Sequence, residues 1–205
     1  MIDVEKSEGL WTVRINRPDK ANALTAQMLE EIYEIVQDAQ NARALIITGS
    51  GKVFSAGADL EAAKAGLATS DVWERVSASI AKLPCLTIAA LNGTLAGGAF
   101  GMALACDLRL AVPTAKFFYP VMALGYLPQP SDPERMSALI GPARTKMILM
   151  AGQKLTAQEA LAYGLIDRIC TPETLLEMAH FLCDNALKAK PEHAISIKQM
   201  CSPFS

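Results

Sequence analysis

Two glycine-bearing segments in the first half of the chain have the residue types needed to hold one carbonyl oxygen. The first is Phe54-Ser55-Ala56-Gly57-Ala58-Asp59-Leu60, and the second is Asn92-Gly93-Thr94-Leu95-Ala96-Gly97-Gly98-Ala99. Each follows an apolar run that reads as a strand, and the second opens an apolar run that reads as a helix. Glycine lets a backbone come close to a ligand. Two backbone N–H groups aimed at one oxygen form an oxyanion hole, which stabilises an enolate or a tetrahedral anion. A tight turn packing a small-residue helix on a sheet would use the same glycines. It is the pairing of the two segments that favours anion binding. Other chemistry fares worse. Gly49-Ser50-Gly51-Lys52 lacks the spacing of a phosphate-binding loop or a dinucleotide fingerprint. Ser55 has no nearby base, because the only histidines, His180 and His193, lie in the C-terminal helical part. The cysteines at 85, 106, 170, 183 and 201 show no zinc spacing, so no metal is expected.

The elements that must position these loops follow from pattern. The chain has 205 residues, 51% apolar and 20% charged, which suits one α/β domain with a short helical extension. Net charge is −2 and no run of Lys or Arg occurs, so nucleic acid is not an expected partner. The longest apolar stretch, residues 95–106, falls short of the roughly 20 residues that span a bilayer. The opening residues lack a signal-peptide pattern. Scattered cysteines in apolar surroundings suggest reduced, buried thiols and a cytoplasmic protein. Residues 4–15 read as a hairpin turning at Glu8-Gly9. Thr25 caps a helix that puts Met28, Leu29, Ile32, Ile35 and Val36 on one face. Residues 44–48 and 85–91 read as buried strands, and 71–83 as a helix between them. Residues 100–105 form a buried helix, with strands at 107–112 and 116–119. This order predicts α/β with mainly parallel pairing. Ser131-Asp132-Pro133-Glu134 reads as a capping box, and Thr156 to Glu159 as a less perfect one. A short strand at 166–170 and a long helix at 172–190 complete the pattern. No internal repeat is visible.

The ordered set of motifs resembles the crotonase superfamily, the enoyl-CoA hydratase/isomerase family. Arg17-Pro18 with Asn22-Ala23-Leu24 is similar to its first signature, and the two glycine segments to its second and third. Cys106-Asp107, Leu124-Gly125, Pro128, Gly152, Ala160, Gly164-Leu165 and Arg168 follow in register. The resemblance implies a spiral of repeated ββα units, with a core over residues 1–170. It also implies a C-terminal helical segment at 171–205, shorter than is usual in the family. It implies a homotrimer or a dimer of trimers. It implies an acyl thioester substrate on coenzyme A or a carrier, with coenzyme A entering as part of the substrate and no separate cofactor. By position, the N–H groups of Ala58 and Gly98 would grip the thioester carbonyl. Lys20, Ala21, Ala56, Asp59 and Leu60 would line the coenzyme A groove. Lys20 also suits a solvated turn, and Asp59 a loop anchor.

The sequence departs from the family at its chemistry. Family hydratases place one glutamate after the glycine pair and another after the following strand. Here those positions hold Gly101 and Val121, and neither can move a proton. Decarboxylation of a malonyl-type thioester needs an oxyanion hole and one late proton donor, so it fits best. Two alternatives stand beside it. One is a catalytically silent acyl-CoA-binding or scaffold protein. The other is a hydratase or isomerase using displaced carboxylates, Glu134 or Asp132. Tyr126 is the candidate proton donor, or else an aromatic packed under a loop. Tyr119 and Gln129 lie in the same segment, while Glu61 and Lys64 read as a solvated helix face.

Overall fold

The Glu8-Gly9 turn has positive φ at both residues, 48° and 88°, the geometry that matches the twist of a two-residue hairpin. It joins β1 (Ile2–Ser7) to β2 (Leu10–Ile15). In this computed structural model, which describes residues 1–201, the chain then crosses over through α1 (Ala26–Asp38) to β3 (Ala44–Gly49). The Thr25 hydroxyl accepts the Met28 N–H at 3.3 Å and caps α1. Met28, Leu29, Ile32 and Val36 are fully buried against the sheet.

From β3 onward one unit recurs. A strand of a large sheet is followed by a short strand of a second sheet and then by helix. The first unit is β3, β4 (Val53–Ser55), α2 (Leu60–Lys64) and α3 (Val72–Ala81). The second is β5 (Leu86–Leu91), β6 (Thr94–Ala96) and α4 (Phe100–Ala105). The third is β7 (Leu108–Ala111), β8 (Lys116–Phe118), α5 (Val121–Leu124) and α6 (Asp132–Leu149), the last broken at Gly141-Pro142. The chain closes with β9 (Leu155–Thr156), α7 (Ala157–Tyr163), β10 (Arg168–Ile169), α8 (Leu175–Lys188) and α9 (Pro191–Cys201). The large sheet runs β1-β2-β3-β5-β7-β10 and is parallel beyond the hairpin. The small sheet runs β4-β6-β8-β9 and is parallel except at β8-β9. This is the ββα spiral expected, with the repeat carried by geometry and not by sequence similarity. Strands β4 and β6 escape the sequence pattern because they are only three residues long and run directly into the glycine turns, which mask a period of two.

The core lies between the large sheet and its helices. α8 packs on β3, β5 and β7, with Ala179 and Cys183 fully buried. Arg43 donates to the carbonyls of Ala186 and Ala189 at the end of α8. Lys198 on α9 donates to the Cys85 carbonyl at 2.7 Å and to Asp107 at 2.8 Å. The helical segment is thus tied to the core as far as Lys198, and its last four residues, 202–205, lie outside the described residues.

Three sequence expectations need correction. Ser131 does not cap α6. Its N–H and hydroxyl both bond Glu74 on α3, a charged acceptor that outcompetes the local one. Asp132, read as part of that capping box, instead has a fully buried side chain. The complete capping box is instead at Thr156, where the Glu159 carboxylate accepts the Thr156 N–H and the Thr156 hydroxyl accepts the Glu159 N–H. Four cysteines are buried as expected, whereas Cys201 is exposed because α9 buries no residue.

Candidate active site

Two asparagines fix the first loop before any ligand arrives. Asn22 is fully buried with φ of 54°. Its Oδ1 accepts the Arg17 N–H, and its Nδ2 donates to the carbonyls of Ser50 and Val53 at 2.9 and 2.6 Å. Asn92 accepts the Gly49 N–H and donates to the Gly51 and Val53 carbonyls. Both carboxamides therefore meet on Val53, the first residue of β4. Ser55 is buried; its hydroxyl donates to the Asn22 carbonyl at 2.8 Å and accepts the Gly57 N–H at 3.1 Å. It pins a turn and has no base beside it.

The turn ends at Gly57, whose φ is 89°. The Leu24 N–H donates to Gly57 O and the Asp59 N–H donates to Leu24 O, both at 2.8 Å. In a parallel bridge this pattern turns the N–H of the residue between, Ala58, away from Leu24. Asp59 is an anchor: its carboxylate accepts the Glu61 and Ala62 N–H groups and caps α2. It also accepts Arg17 at 2.8 Å, and this hydrogen bond foremost holds its carboxyl below the ordinary range.

The second loop leaves β6 through a tight turn, Gly97–Ala99, into α4. First-turn N–H groups have no acceptor within their own helix, and Gly98 supplies one of them. The two loops touch. A Cβ at Gly57 would stand 2.9 Å from Ala96 O and 3.4 Å from Gly97 Cα. A Cβ at Gly98 would stand 3.1 Å from the Trp73 ring, which is held by a 2.8 Å bond from its Nε1 to Leu67 O.

Ala58 and Gly98 line one cavity of about 170 Å³. Its wall includes Ala56 and Leu60 from the first loop, Trp73 from α3, and Tyr119, Val121, Tyr126, Leu127 and Gln129 from the segment after β8. Lys20, Ala21 and Asp59 lie outside this lining, although the Ala56 N–H donates to Ala21 O at 3.0 Å. Lys20 is exposed. Glu134 is exposed and lies outside the wall, as do Glu61 and Lys64, which pair with each other on the surface. Among the described residues, no carboxylate, lysine or histidine lines the cavity. Tyr126 is 38% exposed, and its hydroxyl makes no hydrogen bond among the described residues.

Sequence reasoning gave too little weight to a buried group behind this wall. The Tyr119 ring stacks on Phe100, centroids 5.4 Å apart, and its hydroxyl donates to Asp132 Oδ2 at 2.9 Å. The Gln129 N–H donates to the same hydroxyl at 3.4 Å. Asp132 Oδ1 is buried without a hydrogen-bond partner. It sits 3.1 Å from the point where a side chain at Gly101 would begin. Burial dominates its ionisation and raises its pKa to about 7, against the opposing pull of Tyr119 and Arg135. Burial likewise pushes the Tyr119 phenol far above its ordinary value. The signal available in the sequence was a glycine at 101 accompanied by an acid at 132.

Comparison with known proteins agrees with this architecture. The sequence model of the enoyl-CoA hydratase/isomerase family matches residues 5–202. The crotonyl-CoA hydratase of Syntrophomonas wolfei is 37% identical over 188 residues, covering 85% of this chain and 71% of that protein. The short-chain-enoyl-CoA hydratase of Clostridium acetobutylicum is 32% identical over 201 residues, covering 92% and 76%. The crystal structure of an enoyl-CoA hydratase from Bacillus anthracis superposes with a TM-score of 0.89 at 30% identity, covering 98% of this chain and 82% of that one. With its motifs in order, its ββα spiral intact and residues 5–202 matched by the family model, this chain belongs to the crotonase superfamily as a member of the enoyl-CoA hydratase/isomerase family.

Proposed function

We propose that the protein binds an acyl thioester of coenzyme A and stabilises its enolate between the N–H groups of Ala58 and Gly98. The favoured reaction is decarboxylation of a malonyl-type thioester. One observation carries this reading: the two glycine loops open on a cavity that no carboxylate, lysine or histidine lines among the described residues. Hydration of an alkene needs a base to activate water and an acid to protonate carbon. Loss of carbon dioxide generates the enolate without a base. The oxyanion donors then supply most of the stabilisation, about 3–4 kcal/mol for one well-placed donor. Leu60 and Ala56 at the rim, with Lys20, Ala21 and Asp59 nearby, are the proposed coenzyme A contacts. No cofactor beyond the substrate's own coenzyme A enters this scheme.

The test is carbon dioxide release from malonyl-CoA and methylmalonyl-CoA, by the wild type and by Gly98→Pro, which removes one donor. Undiminished turnover in a folded Gly98→Pro protein refutes the oxyanion assignment. Binding of these esters without turnover favours a silent acyl-CoA-binding protein. Hydration of crotonyl-CoA, abolished by Asp132→Ala, favours the displaced-carboxylate reading.

Self-association as a homotrimer or a dimer of trimers belongs to the same proposal. It is supported by the exposed apolar residues Met122, Leu124, Leu127 and Met150 around the cavity mouth and the groove beside it. Light scattering tests it. The four buried free thiols support a reducing, cytoplasmic setting. No helix among the described residues is long and apolar enough to cross a membrane.

A further inference from the structure

Resting on the enolate reading above, we propose that Tyr119 is the proton donor to the substrate α-carbon and that Asp132, behind it, is the positioning residue that reloads it. The argument starts from space. Gly101 has no side chain, and the Asp132 carboxyl comes to 3.1 Å from where one would begin. The carboxyl thus fills room that a side chain at 101 would otherwise take. It does not line the cavity; Tyr119 does. The 2.9 Å contact between the Tyr119 hydroxyl and Asp132 Oδ2 is the one hydrogen bond the carboxyl makes among the described residues.

The direction of that bond depends on the charge of Asp132. A phenol has one proton and two acceptor positions. With Asp132 ionised, the Tyr119 proton is committed to Oδ2. With Asp132 neutral, its own O–H donates to Tyr119. The Gln129 N–H then fills the other acceptor position, and the Tyr119 proton is left for the cavity. Two further charged groups act on Asp132. Arg135 on α6 favours the charged form and Glu74 on α3 opposes it. Burial outweighs them, so both forms are populated near neutral pH.

The step balances. The bond between the α-carbon and the substrate carboxylate breaks, carbon dioxide leaves, and the electron pair enters the thioester as an enolate. The α-carbon takes the Tyr119 hydroxyl proton. The phenolate oxygen takes the Asp132 proton, and once product departs a solvent proton entering the cavity returns to Asp132 through the Tyr119 hydroxyl.

The experiment is decarboxylation of methylmalonyl-CoA in deuterated buffer, reading carbon dioxide release and the face of propionyl-CoA that carries deuterium. Release reports the enolate; facial selectivity reports a positioned donor. The wild type labels one face by about 10:1 or better, and the selectivity falls as pH rises through about 7. Tyr119→Phe, which keeps the ring on Phe100, gives close to equal labelling of both faces. Asp132→Asn, similar in size, removes the pH dependence of the selectivity. Release with the single-face label intact in Tyr119→Phe overturns the donor assignment and leaves the enolate reading standing. Equal labelling by the wild type does the same. No release by the wild type overturns both. Thermal melts of the two variants separate these outcomes from misfolding.

Discussion

The claim that Asp132 occupies the room beside Gly101 can be tested without any substrate. Gly101→Ala adds one methyl group within the helical run of α4. It lands 3.1 Å from Asp132 Oδ1 and 3.4 Å from the Ser77 Cβ, both buried. In open space the change would stabilise the helix by about 0.5–1 kcal/mol. Here it crowds a packed carboxyl, and overpacking of this kind costs about 1–3 kcal/mol. The expected net effect is a loss of about 1 kcal/mol, which lowers the melting temperature of a chain this long by about 2–4 °C. The sign reverses once the carboxyl is gone. In an Asp132→Ala background the tightest contact is removed and the next, Ser77 Cβ at 3.4 Å, is an ordinary one, so Gly101→Ala becomes neutral or stabilising. The double-mutant cycle therefore yields a coupling of about 1–2 kcal/mol, inside the range for residues in contact. Urea denaturation of the four proteins near pH 7 measures it. A coupling below about 0.5 kcal/mol, the level of independent sites, refutes the packing argument. So does a Gly101→Ala protein more stable than the wild type.

Three other outcomes are expected. The Asp132 pKa is raised from 3.8 to about 7, so the native state keeps a proton that the unfolded chain releases. Its contribution to stability is complete below about pH 4 and is lost as pH rises toward 7, at up to about 1.4 kcal/mol per pH unit. Asp132→Asn removes that slope, and urea midpoints from pH 4.5 to 7.5 that keep it contradict the burial argument. Asn22→Ala removes three hydrogen bonds at a fully buried site and leaves the Ser50 and Val53 carbonyls with fewer partners; a loss of about 2–4 kcal/mol is expected in calorimetry. Gly57→Ala places a side chain at φ of 89° and 2.9 Å from Ala96 O. It costs about 1–3 kcal/mol and weakens binding of an acyl-CoA such as propionyl-CoA by titration calorimetry; unchanged affinity would separate the loop from the ligand.

What the sequence discloses depends on how local the cause is. The glycine loops were legible because their geometry needs particular residues: Gly57 at positive φ against Ala96 O, and Gly98 against the Trp73 ring. The main helices and large-sheet strands were legible from burial period and from local caps such as Thr25. The Ser131 to Glu134 string was misread because the pattern Ser-x-x-Glu encodes only the local option. The partner that wins, Glu74, is 57 residues away. Asp132 was discounted for the same reason. Its burial follows from the missing side chain at Gly101, from Tyr119 and from α3, none of which shares a local pattern with it. Asn22 and Asn92 were visible as motif letters, but their joint grip on the Val53 carbonyl exists only in three dimensions.

Moving the acid from the cavity wall to a place behind a phenol changes what the site can do. A carboxylate facing the α-carbon can remove a proton and return it. A carboxyl reached only through Tyr119 works in one direction. Tyr119 cannot act as a base at ordinary pH, because burial and the neighbouring Asp132 both oppose its ionisation. It can give a proton to a strongly basic carbon only after another bond has supplied the electron pair. A site with this arrangement is suited to enolates made by breaking a carbon–carbon bond and poorly suited to those made by breaking a carbon–hydrogen bond. The same arrangement makes proton delivery an acid-limb process, strongest where Asp132 is neutral and failing above about pH 7. A carboxyl that faces the α-carbon holds its own proton in the cavity and needs no phenol to relay it. The pH dependence of facial selectivity, not the rate alone, therefore distinguishes the two kinds of site.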